Sequence, residues 1–415
     1  MGYTEAFDAM LEKLRREYAF TDYKNIRWDD LATDYRPLIA AAEAGNNRNA
    51  YLRALRDFSF AIPDGHVQGP VLSTETRIAT EGGLGFALAE LDNGRIVVSY
   101  LTPDGPAASA GIRLGDTILT INGQPTSEHV STIVPWNGPF STKHTHRLQQ
   151  LRYATRFPLG TTTEVTYTRP ESDEPITAAL TAIAERESLD HTTPPATGLE
   201  LPLSYHRLDN GYVYVQINSF FDNDLLTIQL WERLLAALNR QRSPGVIIDL
   251  RRNGGGNGFL ADQMAAYFFN EPLELGNTAQ YNRETDDFYF DPRTVERFYL
   301  PPAELRYKGP VVVIVGSACS SACEFFAYDL TLQDRATIVG HYPTAGLGGS
   351  IGQFLMPEQV TFQFTTGRSV DMNGNIHIEG KGVVPTLRVP VTAETLFAED
   401  ALLEAAIEHL DSITQ

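Results

Sequence analysis

The chain has 415 residues, with 33 basic and 52 acidic side chains and a formal charge of −19. At roughly 150 residues per domain, that length fits two or three domains, each able to bury a core. The acidic surplus argues against a nucleic-acid partner, because phosphate backbones are gripped chiefly by Lys and Arg. No stretch approaches the roughly 18 consecutive apolar residues of a transmembrane helix. The run Val311 to Val315 is strand-sized.

The opening residues lack a basic region followed by an apolar one, so no secretory leader is visible. Phe7, Met10, Leu11, Leu14 and Tyr18 recur at three- and four-residue steps, the spacing of one buried helix face. A second helix is expected from Trp28, interrupted at Pro37, and a third through Tyr51, Leu52, Leu55 and Phe58. These make an N-terminal helical domain, residues 1–78.

Alternating stretches such as Gly94 to Tyr100 then read as strands of a β module over 79–186, with a long insertion between Gln124 and Gly160. The polar, Pro-containing segment 187–200 is expected to be a linker. From 201 to 415, strands (Gly211 to Ile217, Gly245 to Leu250, Gly309 to Val315) alternate with helices near Leu225 to Leu238 and Ala322 to Leu332. The expectation is a multidomain α/β protein whose last and largest unit is a layered α/β core.

Gly83-Leu84-Gly85-Phe86, followed about twenty residues later by GPAASAGIRLGDTILTINGQ (Gly105 to Gln124), resembles a PDZ domain. In that reading the backbone N–H groups of Leu84, Gly85 and Phe86 hold a peptide's terminal carboxylate while the peptide adds as a strand. The bare GLGF string would otherwise mark only a bulge or turn.

In the core, Ser321-Ala322-Cys323-Glu324 follows a buried strand and opens a helix, whose N-terminal N–H groups and dipole stabilise an oxyanion. The same Ser-x-x-Glu spacing is a capping box, in which the hydroxyl only satisfies the helix, and the local pattern alone favours that reading. Asp249-Leu250-Arg251-Arg252-Asn253-Gly254-Gly255-Gly256 ends another strand; by itself it is a loop, and it lacks the Gly-Lys-Ser/Thr ending of a phosphate loop.

Together these strings resemble the C-terminal-processing (tail-specific) serine proteases and the related tricorn protease core. The resemblance implies a crotonase/ClpP-like core with Ser321 as nucleophile and Gly255, Gly256 and Ala322 as oxyanion-hole donors. Leu347 stands where the tail-specific branch carries its catalytic lysine, in Thr344-Ala345-Gly346-Leu347-Gly348. Leucine cannot accept a proton. The tricorn branch is the better match, through Asp64-Gly65-His66 and Glu379-Gly380-Lys381-Gly382-Val383-Val384-Pro385. It implies His66 as general base and Glu379 as its orienting partner.

His341 and His377 are rival bases, both read as packing or solvent-facing residues. Cys319 and Cys323, four apart in what reads as one helix, supply neither a disulfide framework nor a metal-ligand pattern and are expected to pack as small apolar groups. No cofactor or metal is expected. The resemblance implies protein or peptide substrates with accessible C-termini and an extracytoplasmic, periplasmic or secreted location. Two competing readings are a PDZ-containing peptide-binding protein of the same family that lost its chemistry with the lysine, and an acyl-transfer enzyme on the same core.

Overall fold

The structure, a computed structural model, describes residues 1–192, 200–221 and 223–414. Its organising element is a six-stranded sheet in the order Leu203–Arg207, Val213–Ile217, Val246–Asp249, Val311–Ile314, Thr337–Gly340 and Leu387–Arg388. The first pair is antiparallel and the rest are parallel. Strands covered on both faces read as unbroken apolar runs, as the central strands Val246–Asp249, up to its closing aspartate, and Val311–Ile314 do, every residue of each being buried. Ile248, Val311 and Val313 pack with Trp231 and Phe326 on one face, while Ile247, Val312 and Ile314 pack with Leu402, Ala406 and Leu410 on the other.

The N-terminal helices Tyr3–Glu17, Trp28–Ala44 and Arg48–Phe60 form where the periodicity predicts them. Pro37 does not interrupt the second. It lies on the exposed face, where water can take up the carbonyl its ring frees, while buried Ile39 and Ala42 hold the following turns in place. These helices have no separate core. Their buried face closes over Met356, Phe362 and Phe364 of the hairpin formed by Ile351–Met356 and Val360–Thr365. Phe58 meets both Phe7 and Phe362, with ring centroids 5.1 and 5.7 Å apart. The Ala19 N–H donates to the Thr365 carbonyl, and Gln68 pairs with Gln363.

The β module carries strands Phe86–Glu90, Ile96–Leu101, Thr117–Ile121, Thr162–Arg169 and Ser172–Thr181, joined in that order. The insertion supplies the helices Thr126–Thr132 and Lys143–Tyr153. The helix Ser73–Thr80 spans the boundary expected at 78/79. Residues 187–191 of the expected linker are instead a helix, with Ser188 and Leu189 buried and His191 stacked on Tyr100. Residues 193–199 of that segment lie outside the described residues. Among the described residues no helix is long and apolar enough to cross a membrane.

Candidate active site

The strand Val246–Asp249 ends in a loop that the buried Asn253 shapes. Its side chain donates to the Ile217 carbonyl at 3.2 Å and accepts the Gly255 N–H at 2.8 Å. The neighbouring strand, Val311–Ile314, ends in the turn that carries Ser321. Two contacts sew the loops together: the Ser320 hydroxyl donates to the Gly254 carbonyl at 3.1 Å and the Ser320 N–H to the Asn253 carbonyl at 3.3 Å. Gly255, at φ +98°, lies so close that a Cβ there would be 2.6 Å from the Ser320 oxygen and 2.9 Å from the Ser321 Cβ. Only glycine fits.

Ser321 itself adopts φ +57°, ψ −127°, a strained conformation for a residue with a side chain and the kind of sharp strand-to-helix elbow that presents a nucleophile. It opens the helix Ala322–Asp329 and forms the capping box with Glu324 that the local pattern predicts. The Glu324 carboxylate accepts the Ser321 N–H at 2.9 Å.

The expected oxyanion donors are partly corrected. The Gly255 N–H is committed to Asn253, whereas those of Gly256 and Ala322 have no acceptor among the described residues. The cysteines are corrected as well. Cys319 lies in the turn before the helix, which brings its Cα to 5.5 Å from that of Cys323, and the two form a disulfide beneath the elbow. Spacing on one helix did not apply because the helix begins at Ala322.

His66 and Glu379 meet at Gly348. The Gly348 N–H donates to Glu379 Oε2 at 2.9 Å, and the Gly348 backbone also lies near the His66 ring, where it favours the charged imidazole. Both side chains are buried. Loss of water lowers the His66 pKa, keeping the imidazole neutral, and its Nδ1 is buried without a hydrogen-bond partner. Burial, with Asp64 nearby, raises the pKa of the Glu379 carboxyl to about 8, and the Lys24 ammonium opposes that rise. No hydrogen bond links Ser321, His66 and Glu379 to one another among the described residues.

What they share is the loop Thr344 to Gly348, on which all three units converge. From the core, Glu324 accepts the Thr344 hydroxyl at 2.5 Å and the N–H groups of Gly346 and Leu347 at 2.6 and 2.7 Å. From the N-terminal unit, Gly65 packs on Leu347, with space for a Cβ only 2.8 Å from the leucine Cδ1. From the β-module insertion, the His144 ring bonds the Thr344 carbonyl at 3.0 Å, while Ser141 accepts the Gly65 N–H at 2.9 Å. Leu347 is thus a packing residue against the turn that carries His66.

Sequence reasoning missed Lys24, whose ammonium pairs with Glu379. It also passed over Asp64, which receives the hydroxyls of Tyr18 and Thr365 at 2.9 and 2.8 Å and the His66 N–H at 2.8 Å. Asp64 belongs to the Asp64-Gly65-His66 string and is legible there, whereas Lys24 carries no signal in the sequence.

The rival histidines are structural. His341 bonds the Val389 carbonyl at 2.9 Å, and His377 packs between Phe325 and Tyr328, where burial lowers its pKa to about 4.

In the β module, Gly85 is at φ +80° beneath Pro106. The Leu84 N–H already donates to the Thr155 carbonyl at 3.2 Å, so it is not free for a carboxylate. Phe86 begins an edge strand beside the helix Lys143–Tyr153. A cavity of about 530 Å³ opens between this module and the core, lined by Glu90, Leu148, Arg251, Ala318, His341 and Asp400 among others. It lies beside the start of the elbow turn, and neither Ser321 nor His66 lines it.

The fold thus places a strained serine against a glycine loop at the ends of parallel strands in a layered α/β core, with the β module alongside. Residues 211–389 match the peptidase family S41 model, residues 73–134 the PDZ domain and residues 2–51 the tricorn protease C1 domain. The chain thus joins a segment that matches the S41 model to one that matches the PDZ model.

A carboxy-terminal-processing protease of Bartonella bacilliformis is 24% identical over 74% of this chain, and the match spans 61% of that relative's length. Mature CPAF shares the fold at a TM-score of 0.66 and 16% identity, covering 100% of this chain and 96% of its own. A peptidase from Parabacteroides merdae does so at 0.56 and 18%, covering 99% and 97%.

Proposed function

We propose that the protein is a serine peptidase that hydrolyses peptide bonds in unstructured protein tails. Ser321 attacks the carbonyl, and His66 takes its proton and returns it to the leaving amine. Glu379 orients the imidazole and stabilises its charged form. Gly256 and Ala322 N–H groups receive the oxyanion, each worth roughly 2.7 to 4 kcal/mol of barrier. The observation that carries this reading is the packing of Gly255 against the strained Ser321 elbow, which brings a glycine-rich loop to the nucleophile with no room for a side chain.

The tail enters by strand addition along Phe86–Glu90, with Gly85 and Phe86 supplying N–H groups for its terminal carboxylate. The Cys319–Cys323 disulfide supports an extracytoplasmic site of action, where such bonds persist. Cleavage of β-casein, an unfolded substrate, tests the reading. Turnover by the native protein and its loss in Ser321→Ala and His66→Ala is the expected result.

A second reading, a peptide-binding protein without turnover, is favoured by the absence of a hydrogen bond joining His66 to Ser321. Tight binding of C-terminal peptides with no cleavage of β-casein by the native chain would select it.

A further inference from the structure

Lys24 lies in the turn after the first helix, yet its side chain is only 6% exposed, and the Glu379 side chain it contacts is fully buried. The ammonium also donates to the Pro63 carbonyl, one residue before the Asp64-Gly65-His66 string. The preceding residue closes the grip: the Tyr23 hydroxyl donates to the Glu379 carbonyl oxygen at 3.0 Å. Adjacent residues of the N-terminal unit therefore hold Glu379 by its side chain and by its backbone.

The other titratable groups facing this point are Asp64 and His66 on the turn and Tyr18 at the end of the first helix. Asp64 has its oxygens occupied by Tyr18, Thr365 and the His66 N–H. Among the described residues, Lys24 is the cation paired with Glu379. A lysine suits the position because one compact charge with three donors can serve a carboxylate and a carbonyl together.

Resting on the Ser321, His66 and Glu379 reading, we propose that Lys24 is a positioning residue: it draws the buried Glu379 toward its carboxylate form and pins the His66 turn against it. Without a counter-charge, a carboxyl this deeply buried takes up a proton, and a protonated Glu379 can no longer stabilise an imidazolium. Lys24 thus supplies an amine to the site while playing a different part from the lysine that Leu347 replaces. It contacts the acid and not the nucleophile. The N-terminal unit becomes part of the chemistry through a single residue.

The test is the pH profile of β-casein cleavage from pH 5.5 to 9.5 for the native chain, Lys24→Met, Lys24→Arg and Ser321→Ala, with urea midpoints measured alongside. Lys24→Met is expected to lower kcat about tenfold at pH 7 with KM little changed, and to move the rising limb about one unit to higher pH. Lys24→Arg should restore the native limb. A limb that stays in place in Lys24→Met, or a loss equal at every pH, overturns the proposal. If Lys24→Met does not fold, Lys24→Gln takes its place under the same two criteria. Retained turnover in Ser321→Ala would instead sink the serine reading itself, a result distinguishable from an unmoved limb.

Discussion

Glu324 and Leu347 are joined by a hydrogen bond of 2.7 Å, and through it the turn that carries Ser321 is tied to the loop that carries Gly348. The same carboxylate takes the N–H groups of Ser321 and Gly346 and the Thr344 hydroxyl. A residue whose sequence context reads only as a helix cap is the junction between the nucleophile region and the loop shared by His66 and Glu379.

Glu324→Gln replaces one accepting oxygen with an NH₂ group, leaving buried donors unpaired, and should cost about 2 to 4 kcal/mol in urea denaturation. The pH dependence provides a separate check. Burial raises the Glu324 pKa from 4.5 to about 7. The native state therefore binds more protons than the unfolded one between these values. The stabilising contribution is complete below pH about 4.5 and is lost as pH climbs through about 7, on the order of 3 kcal/mol in all. Urea midpoints should fall across that window in the native chain and fall less in Glu324→Gln.

Gly255→Ala introduces a Cβ at a positive φ, against the Ser320 carbonyl and the Ser321 Cβ. The elbow and the glycine loop must separate to admit it. Active-site titration with a serine-directed phosphonate should lose its burst in this variant. Gly258→Ala, where a Cβ meets open space, should retain it.

Phe362→Ala removes a fully buried ring that packs, tilted, against Phe58 of the N-terminal unit. The expected cost is about 3 to 5 kcal/mol. Because this hairpin holds the segment leading to His66, hydrogen exchange should rise in Arg48–Phe60 and in the His66 turn together. Faster exchange confined to the hairpin would contradict a shared core.

The disulfide makes a simple chemical prediction. Thiol titration of the urea-unfolded protein purified without reductant should find no free thiol, and two after reduction. Two thiols before reduction would remove the support for an oxidising compartment.

The helices, the β module and the layered core were all legible in the amino-acid pattern, because each rests on local periodicity or on glycines whose spacing a turn demands. Pro37 was misread because the rule that proline ends a helix ignores which face it occupies. Cys319 and Cys323 do not share one helix face because the helix begins only at Ala322, three residues after Cys319, and the turn between changes which side chains meet. Gly255 makes the close backbone approach that its place in a glycine run suggests, yet its N–H is held by Asn253, two residues earlier, through a hydrogen bond that spacing does not reveal.

The sequence by itself determined the building units and the strings that carry the chemistry, since these depend on neighbours a few positions apart. Only the tertiary structure decided that Lys24 reaches Glu379, that His66 and Glu379 share Gly348, and that the first helices borrow their core from a hairpin near residue 360. Those contacts join residues some three hundred positions apart, and complementary burial of apolar faces and charges, which has no signature along the chain, is what selects them.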